Sequence, residues 1–378
     1  MTGVVQRKIK PDEDGLRLDR WFQRHFPQLT HGRLEKLLRT GQVRVDGARA
    51  KANHRVAGGE MIRVPPMPTT DAPLVEKPKP KMPAKDRALI ESMVLHRDKD
   101  VIVLNKPPGI AVQGGTKTDR HIDGLLAGLV DEGEERPRLV HRLDRDTSGV
   151  MIVALSARAA ASLAQSFRHR DTRKVYWALT TGVPTPRRGK IDGALIKKAA
   201  PDGRERVRIA EEGDEDDAKN AVTLFDMLHH VTTMAWVALM PLTGRTHQLR
   251  AHMAAIDTPI VGDGKYGKEP ARSHGEIPKK LMLHARSLRI RHPKGTWMEV
   301  SAPLPPHMAK VWDMFGFDKD DKHDPFENFE ADKQAPAGVK EYRPNDRPRE
   351  HRDPRGKQTR KEARRPAPRG KERGPRGR

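Results

Sequence analysis

The sequence predicts an α+β protein in three parts: a small α/β module over 16–64, a larger domain over 89–314 built on a mixed sheet, and a disordered basic tail over 315–378. Three observations predict it. Near the N-terminus, apolar residues first recur at helical spacing and then alternate at strand spacing. Further on, short apolar runs of strand length alternate irregularly with helical stretches, which favours a mixed sheet over a doubly wound parallel one. Towards the C-terminus apolar residues nearly vanish while Pro, Gly and charge accumulate, so burial cannot offset the entropy of ordering.

Residues 1–15 form a lead-in without the apolar stretch of a signal peptide. In GLRLDRWFQRHF, Leu18, Trp21, Phe22 and Phe26 share one helical face. Thr30 is placed to cap a second helix, HGRLEKLLRTG, whose apolar stripe is Leu34, Leu37 and Leu38 and which stops at Gly41. VRVDGARA reads as a hairpin turning at Asp46-Gly47, and GGEMIRV as a further strand. The proline-rich, charged stretch 65–88 reads as a semi-stiff linker. In the larger domain, strands are expected at 101–104, 150–155, 175–181, 221–228 and 235–240. Ser156 is placed to cap a helix through residue 170, THQLRAHMAAI (246–256) reads as another, and EEGDEDD (211–217) as an acidic surface loop.

The formal net charge is +22, and residues 340–378, with 16 Lys/Arg against 6 Asp/Glu, supply less than half of it. A body that remains basic without its tail favours a polyanionic partner, because neutralising phosphates releases counterions. There is no cysteine, which excludes disulfides and thiolate zinc sites. No apolar run is long enough for a transmembrane helix. A soluble, cytoplasmic protein without a membrane partner is expected, and a monomer.

The sharpest candidate for chemistry is LVHRLDRDTSGVMIVAL, 139–155, where two apolar runs flank a charged loop. Asp144 lies between Arg142 and Arg145, positive neighbours that suit an ionised carboxylate. Taken alone, Asp144 could equally brace a turn through backbone N–H groups. Tyr176 could be an ordinary core tyrosine, Arg250 a surface residue, Lys106 a turn-flanking lysine or a phosphate contact, and His141 a structural histidine. His247 and His252 are five residues apart, one more than a zinc-binding helix pair needs, so no metal site is expected. There is no P-loop or GxGxxG fingerprint either.

In combination these segments are informative. HRLDRDTSG closely resembles the signature of the RluA-type pseudouridine synthases, and it has company in the family's order: NKPPGIAVQGG (105–115), RKVYWAL (173–179), LTGRTHQLRAHM (242–253), PIVGDGKYG (259–267) and MLHA (282–285). The likeness spans roughly 89–305 and is nearest to the RluC-type members, which modify large-subunit ribosomal RNA. It implies a largely antiparallel mixed sheet and a cofactor-free, metal-free isomerisation of uridine in RNA, ribosomal RNA being favoured and transfer RNA the other candidate. By position, Asp144 matches the catalytic aspartate, Tyr176 the aromatic that stacks on the flipped uracil, and Arg250 the arginine that pairs with the aspartate. Arg142 matches a residue that fills the space the base vacates. Attack on the ribose, attack on the base and abstraction of a ribose proton all stay open for Asp144.

The two short helices with GQVRVDG and GGEMIRV resemble the alpha-L RNA-binding module, which implies that Arg33, Lys36 and Arg39 face RNA. Each could as well be an ordinary solvated residue. A non-catalytic RNA-binding factor for ribosome assembly fits the charge, the module and the tail equally. It would not require the set of Asp144, Tyr176 and Arg250. An RNA hydrolase would need a metal cluster or paired catalytic histidines that the sequence lacks.

Overall fold

The computed structural model describes residues 3–66, 82–114, 120–131, 134–169, 171–199, 205–211, 213–214, 216–267, 276–327 and 340–342. Contacts divide the chain into two units, Met1–Lys81 and Met82–Arg378. Most of the expected linker, residues 67–81, and the tail beyond 342 lie outside the described residues.

The first unit runs β1 (Val5–Lys8), α1 (Leu18–His25), α2 (His31–Arg39), β2 (Arg44–Val45) and β3 (Met61–Val64). Its three strands form an antiparallel sheet in the order β1-β3-β2. The helices bury Leu18, Trp21, Phe22, Leu34 and Leu38 against Val45, Ile62 and Val64. One expectation is corrected. The lead-in is part of the module, because β1 pairs along β3 and Ile9 enters the core. The expected hairpin turn is present: Asp46 and Gly47 are both at positive φ, and Val45 and Ala48 exchange backbone hydrogen bonds across them, while the later β3 supplies the strand that pairs along the other side of β2.

The second unit begins with α3 (Ala84–Glu91), so helix starts inside the stretch read as linker; Ile90 anchors it in the core. There follow β4 (Val94–Arg97), β5 (Val101–Lys106), α4 (Ile122–Leu125), β6 (Arg138–Leu139), β7 (Ser148–Ala154), α5 (Ala157–Ser166), β8 (Arg173–Thr181) and β9 (Arg188–Asp192). A two-stranded hairpin, β10 (Leu195–Ala199) and β11 (Glu205–Ile209), stands apart from the main sheet. Then come β12 (Val222–Val231), β13 (Met234–Pro241), α6 (Gln248–Ala255), β14 (Leu283–Arg291), β15 (Trp297–Ser301), α7 (Pro306–Phe315) and β16 (Lys340–Tyr342). Ser156 caps α5, its Oγ accepting from the Ala159 N–H at 3.1 Å.

The large sheet runs β16-β9-β12-β13-β8-β14-β7-β5-β4, with β15 on β14 and β6 on β7. Among the described strand pairs of this sheet, only β14–β7 and β16–β9 are parallel, so the sheet is mixed and largely antiparallel. The chain stays folded past 315: Phe317 and Phe326 are buried in the Trp236–Trp312 cluster, and β16 adds to the sheet edge. Few aromatics suffice to hold a polar segment when a groove of tryptophans is present to receive them.

One register line positions the site. Leu239, Tyr176, Ala285, Gly149 and Lys106 are successive partners across β13, β8, β14, β7 and β5. Within it Gly149 has φ +111°, and a Cβ there would stand 2.2 Å from the Ala285 carbonyl oxygen. The absence of a side chain lets β7 approach β14 closely and brings the 140–147 loop beside Tyr176.

Candidate active site

The loop before β7 is built from buried anchors. His141 Nε2 accepts from the Ile152 N–H at 3.0 Å, and its ring packs on Phe167. Burial, with Lys174 nearby, drops its pKa to about 3, so it is a neutral structural acceptor. Ser148 Oγ and His284 Nδ1 are 2.9 Å apart, and His284 Nε2 reaches the Ala302 carbonyl at 3.1 Å, which ties β7 to β14.

Lys106 requires a correction. Of its two sequence readings, the RNA-phosphate contact does not hold: Lys106 is fully buried, and its ammonium donates to the carbonyls of Pro107, Ile110 and Arg145 at 2.8–2.9 Å. Burial brings its pKa down to about 8, against the pull of Asp146 and Asp144. All three protons are used on backbone, which leaves none for a phosphate. Its role is to clamp the 107–110 turn to the loop that carries Asp144.

A cavity of about 520 Å³ opens over this loop. Asp144, Tyr176, Arg250 and Arg142 all line it, with Lys174, Arg168 and residues 241–249. Asp144 is the one carboxylate among the described lining residues. Arg250 is buried on α6 and grips Asp263 in a bidentate pair: Nε to Oδ2 at 2.7 Å and Nη2 to Oδ1 at 2.8 Å. Its remaining Nη1 points at Asp144 Oδ2, 3.5 Å away. Burial opposes the charges of this pair, yet the pairing wins: the Arg250 pKa goes up and the Asp263 pKa down. Gly262, at φ +75°, lets the chain pass so close to Lys280 that a Cβ would meet its carbonyl oxygen at 1.9 Å. Asp263 then caps its own turn, accepting from the Lys265 and Tyr266 N–H groups.

Tyr176 is half-buried, and burial together with the charge of Asp144 raises its pKa, so the phenol stays neutral. Gln248 knits the 242–248 segment to β12, accepting from Thr243 Oγ1 and the Arg245 N–H and donating to Val222 O and Thr223 Oγ1. His252 bonds Thr223 and the Gly193 carbonyl, a structural use of the ring.

One group among the described residues has metal-ligand spacing: Asp98, Asp100 and His292. His292 Nδ1 accepts from the Lys294 N–H, which leaves the proton on Nε2, 3.0 Å from Asp98 Oδ2. A protonated nitrogen cannot ligate, so the group does not fit a metal.

Arg33, Lys36 and Arg39 are exposed on α2. Lys36 and Arg39 line a groove of about 820 Å³ together with Arg17, Arg49 and Lys51; Arg33 is not part of its lining.

Residues 100–255 match the model of a family described as RNA pseudouridylate synthase. The ribosomal large subunit pseudouridine synthase C of Pasteurella multocida is 33% identical over 322 residues, 82% of this chain and 93% of that protein. The chain belongs to the RNA pseudouridylate synthase family. The mitochondrial RNA pseudouridine synthase 4 of Arabidopsis thaliana is 36% identical over 304 residues, 69% of this chain and 63% of that protein. Among solved structures, human RNA pseudouridylate synthase domain containing 4 superposes with a TM-score of 0.50 at 29% identity, over 61% of this chain and 96% of that one. A pseudouridylate synthase isomerises uridine within RNA, and the basic composition and the charged cavity suit that substrate.

Sequence reasoning missed three residues: Asp263, His247 and Tyr266. His247 Nε2 stands 3.8 Å from Asp144 Oδ2, and Tyr266 lies beneath the Arg250 guanidinium, 5.2 Å from its ring centroid. The signal was present, since His247 lies inside LTGRTHQLRAHM and Asp263 and Tyr266 inside PIVGDGKYG. Only the fold shows that the two segments meet.

Proposed function

We propose that the protein isomerises uridines of large-subunit ribosomal RNA, using Asp144 as the reacting carboxylate. The observation that carries the reading is the convergence of Asp144, Tyr176 and Arg250 on one cavity whose described lining offers no second acid. The reaction breaks the bond from ribose to uracil N1, turns the base and joins the ribose to C5. A carboxylate serves such a step as nucleophile or base. Arg250 Nη1 orients it, and Asp263 holds Arg250.

The target base must leave its stack, which costs a few kcal/mol. Stacking on Tyr176 returns about 1–3 kcal/mol. Arg142, exposed at the cavity, fills the vacated space with its planar guanidinium. Arg168, Lys174 and Arg245 line the same cavity and suit the flanking phosphates. On the first unit, Lys36 and Arg39 in their groove, with Arg33 beside them, add affinity for the RNA backbone.

The large-subunit substrate rests on the name of the Pasteurella relative. Working on ribosomal RNA, the protein acts in the cytoplasm. It acts as a monomer: the large apolar side chains exposed among the described residues are Val4, Leu242, Trp297 and Met314, and no two of them are neighbours in the chain. No helix among the described residues is long and apolar enough to cross a membrane. The test is tritium release from unmodified large-subunit RNA labelled at uridine C5, native protein against Asp144→Asn. Release by the native protein alone supports the reading. Release from transfer RNA but not ribosomal RNA would overturn the substrate, and release by both proteins would overturn the role of Asp144.

A further inference from the structure

His247 is the titratable cavity residue left without a task by the chemistry above. It stands immediately before α6 with a left-handed backbone, φ 53°. Its two ring nitrogens face different partners. Nδ1 lies 2.8 Å from the Tyr266 hydroxyl, and Nε2 lies 3.8 Å from Asp144 Oδ2. Tyr266 is not among the residues that line the cavity; it packs behind them, against the β10–β11 hairpin.

Hydrogen-bond accounting points to one direction for this chain. The Tyr266 oxygen accepts the Val207 N–H at 3.3 Å. A phenol has a single hydrogen to donate, and the acceptor it meets among the described residues is His247 Nδ1. With Nδ1 as that acceptor, a neutral ring carries its proton on Nε2. The other end selects the same tautomer. A bare Nε2 would turn a lone pair towards a carboxylate oxygen, whereas Nε2–H turns a donor towards it. Burial lowers the His247 pKa, with Asp144 pulling the other way, so a neutral ring suits the site near pH 7.

We propose that Tyr266 is a positioning residue that holds His247 as the Nε2–H tautomer, so that His247 and Arg250 both direct donors to Oδ2 of Asp144 and leave Oδ1 as the reacting oxygen. Arg250 Nη1 approaches Oδ2, and His247 Nε2 approaches the same atom. Oδ1 has no donor among the described residues. Two donors on one oxygen fix the rotation of the carboxylate and the plane in which Oδ1 meets the ribose or base. At 3.5 and 3.8 Å both contacts are longer than ordinary hydrogen bonds, so the proposal requires them to close when substrate binds.

The inference rests on Asp144 as the reacting carboxylate, and the test separates the two. The full-length protein, labelled with 15N in its histidine rings, is read by long-range proton–nitrogen correlation, with the His247 signals identified by their loss in His247→Gln. The native spectrum should show the Nε2–H tautomer, and Tyr266→Phe should show a mixture. With C5-tritiated RNA as substrate, Tyr266→Phe should lower kcat about tenfold, the effect of one hydrogen bond to a charged group, at unchanged KM. His247→Gln, whose amide nitrogen can stand where Nε2 stands, should retain more kcat than His247→Leu, since both carry the same backbone strain. An Nδ1–H tautomer in the native protein, an unchanged tautomer and kcat in Tyr266→Phe, or equal kcat for Gln and Leu would each overturn the proposal. Turnover surviving in Asp144→Asn would instead sink the reading of Asp144, because the tautomer is read from the ring signals alone.

Discussion

Arg250 binds Asp263 more closely than it binds Asp144: two bonds of 2.7 and 2.8 Å hold the first carboxylate, and a single Nη1 at 3.5 Å reaches the second. The geometry divides the labour. Asp263, fully buried, neutralises and aims the guanidinium, and Asp144 at 21% exposure stays accessible to substrate.

Asp263→Ala should therefore damage both fold and activity. Removing one member of a buried ion pair leaves an uncompensated charge and costs about 3–5 kcal/mol. Urea unfolding should show a lower midpoint, and turnover should fall at temperatures where the variant is still folded. Arg250→Lys should not rescue the site, because an ammonium cannot hold Asp263 bidentately and still reach Asp144. Unchanged stability in Asp263→Ala would show that the pair is not the anchor of this site.

Asp144→Ala should abolish turnover and leave RNA affinity nearly intact. Among the described residues its side chain meets Arg250 and His247 and no backbone group, and those two keep their partners Asp263 and Tyr266 without it. Filter binding to a large-subunit RNA fragment, run beside the tritium assay, checks both halves. A collapse of binding together with activity would make Asp144 a structural residue.

Lys106 and Lys36 should separate cleanly although both are lysines in an RNA enzyme. Lys36→Ala should weaken RNA binding and reduce the slope of log affinity against log salt by roughly 0.7–0.9 if one phosphate contact is lost. Lys106→Met should leave that slope unchanged while lowering thermal stability, because three carbonyls lose their donor in a buried turn. A salt slope that changes in Lys106→Met would contradict the buried ammonium.

The contrast marks what could be read from the chain. Short strands such as β5, β7 and β13 announce themselves because burial on both faces leaves continuous apolar runs; β7 is buried along its whole length. β14 does not, since LHARSLRIR mixes arginines and histidine into a central strand and its pattern makes sense only beside β8 and β7. Asp144 was legible from its motif. The burial of Lys106, the grip of Asp263 and the Tyr266–His247 contact join residues 13 to 39 positions apart, or sit in a turn that closes over the lysine. Sequence spacing carries no information on such closures. In the same way, Phe317 and Phe326 fall in the stretch expected to be tail, and the tryptophan cluster that buries them comes from distant parts of the chain.

The first unit has its own acid sensitivity. Glu13 is buried, and it accepts from Trp21 Nε1 at 3.0 Å and from the Lys10 N–H at 3.2 Å, with His25 Nε2 at 2.5 Å. Burial alone would raise its pKa, but the hydrogen bonds from His25, Lys10 and Trp21 bring it from 4.5 to about 2. A carboxylate whose pKa is lower in the folded state stabilises above its unfolded value, and that contribution is lost as pH falls through the folded value. The module should thus weaken between about pH 4.5 and 2. The Trp21 indole N–H, followed by hydrogen exchange in the full-length protein, should lose protection across that window. Glu13→Gln should flatten the pH dependence, because the amide cannot ionise, and should lower protection at neutral pH, because it replaces a charged acceptor with a neutral one. Constant protection of the native Trp21 N–H from pH 5 to the bottom of that window would show that Glu13 does not anchor α1.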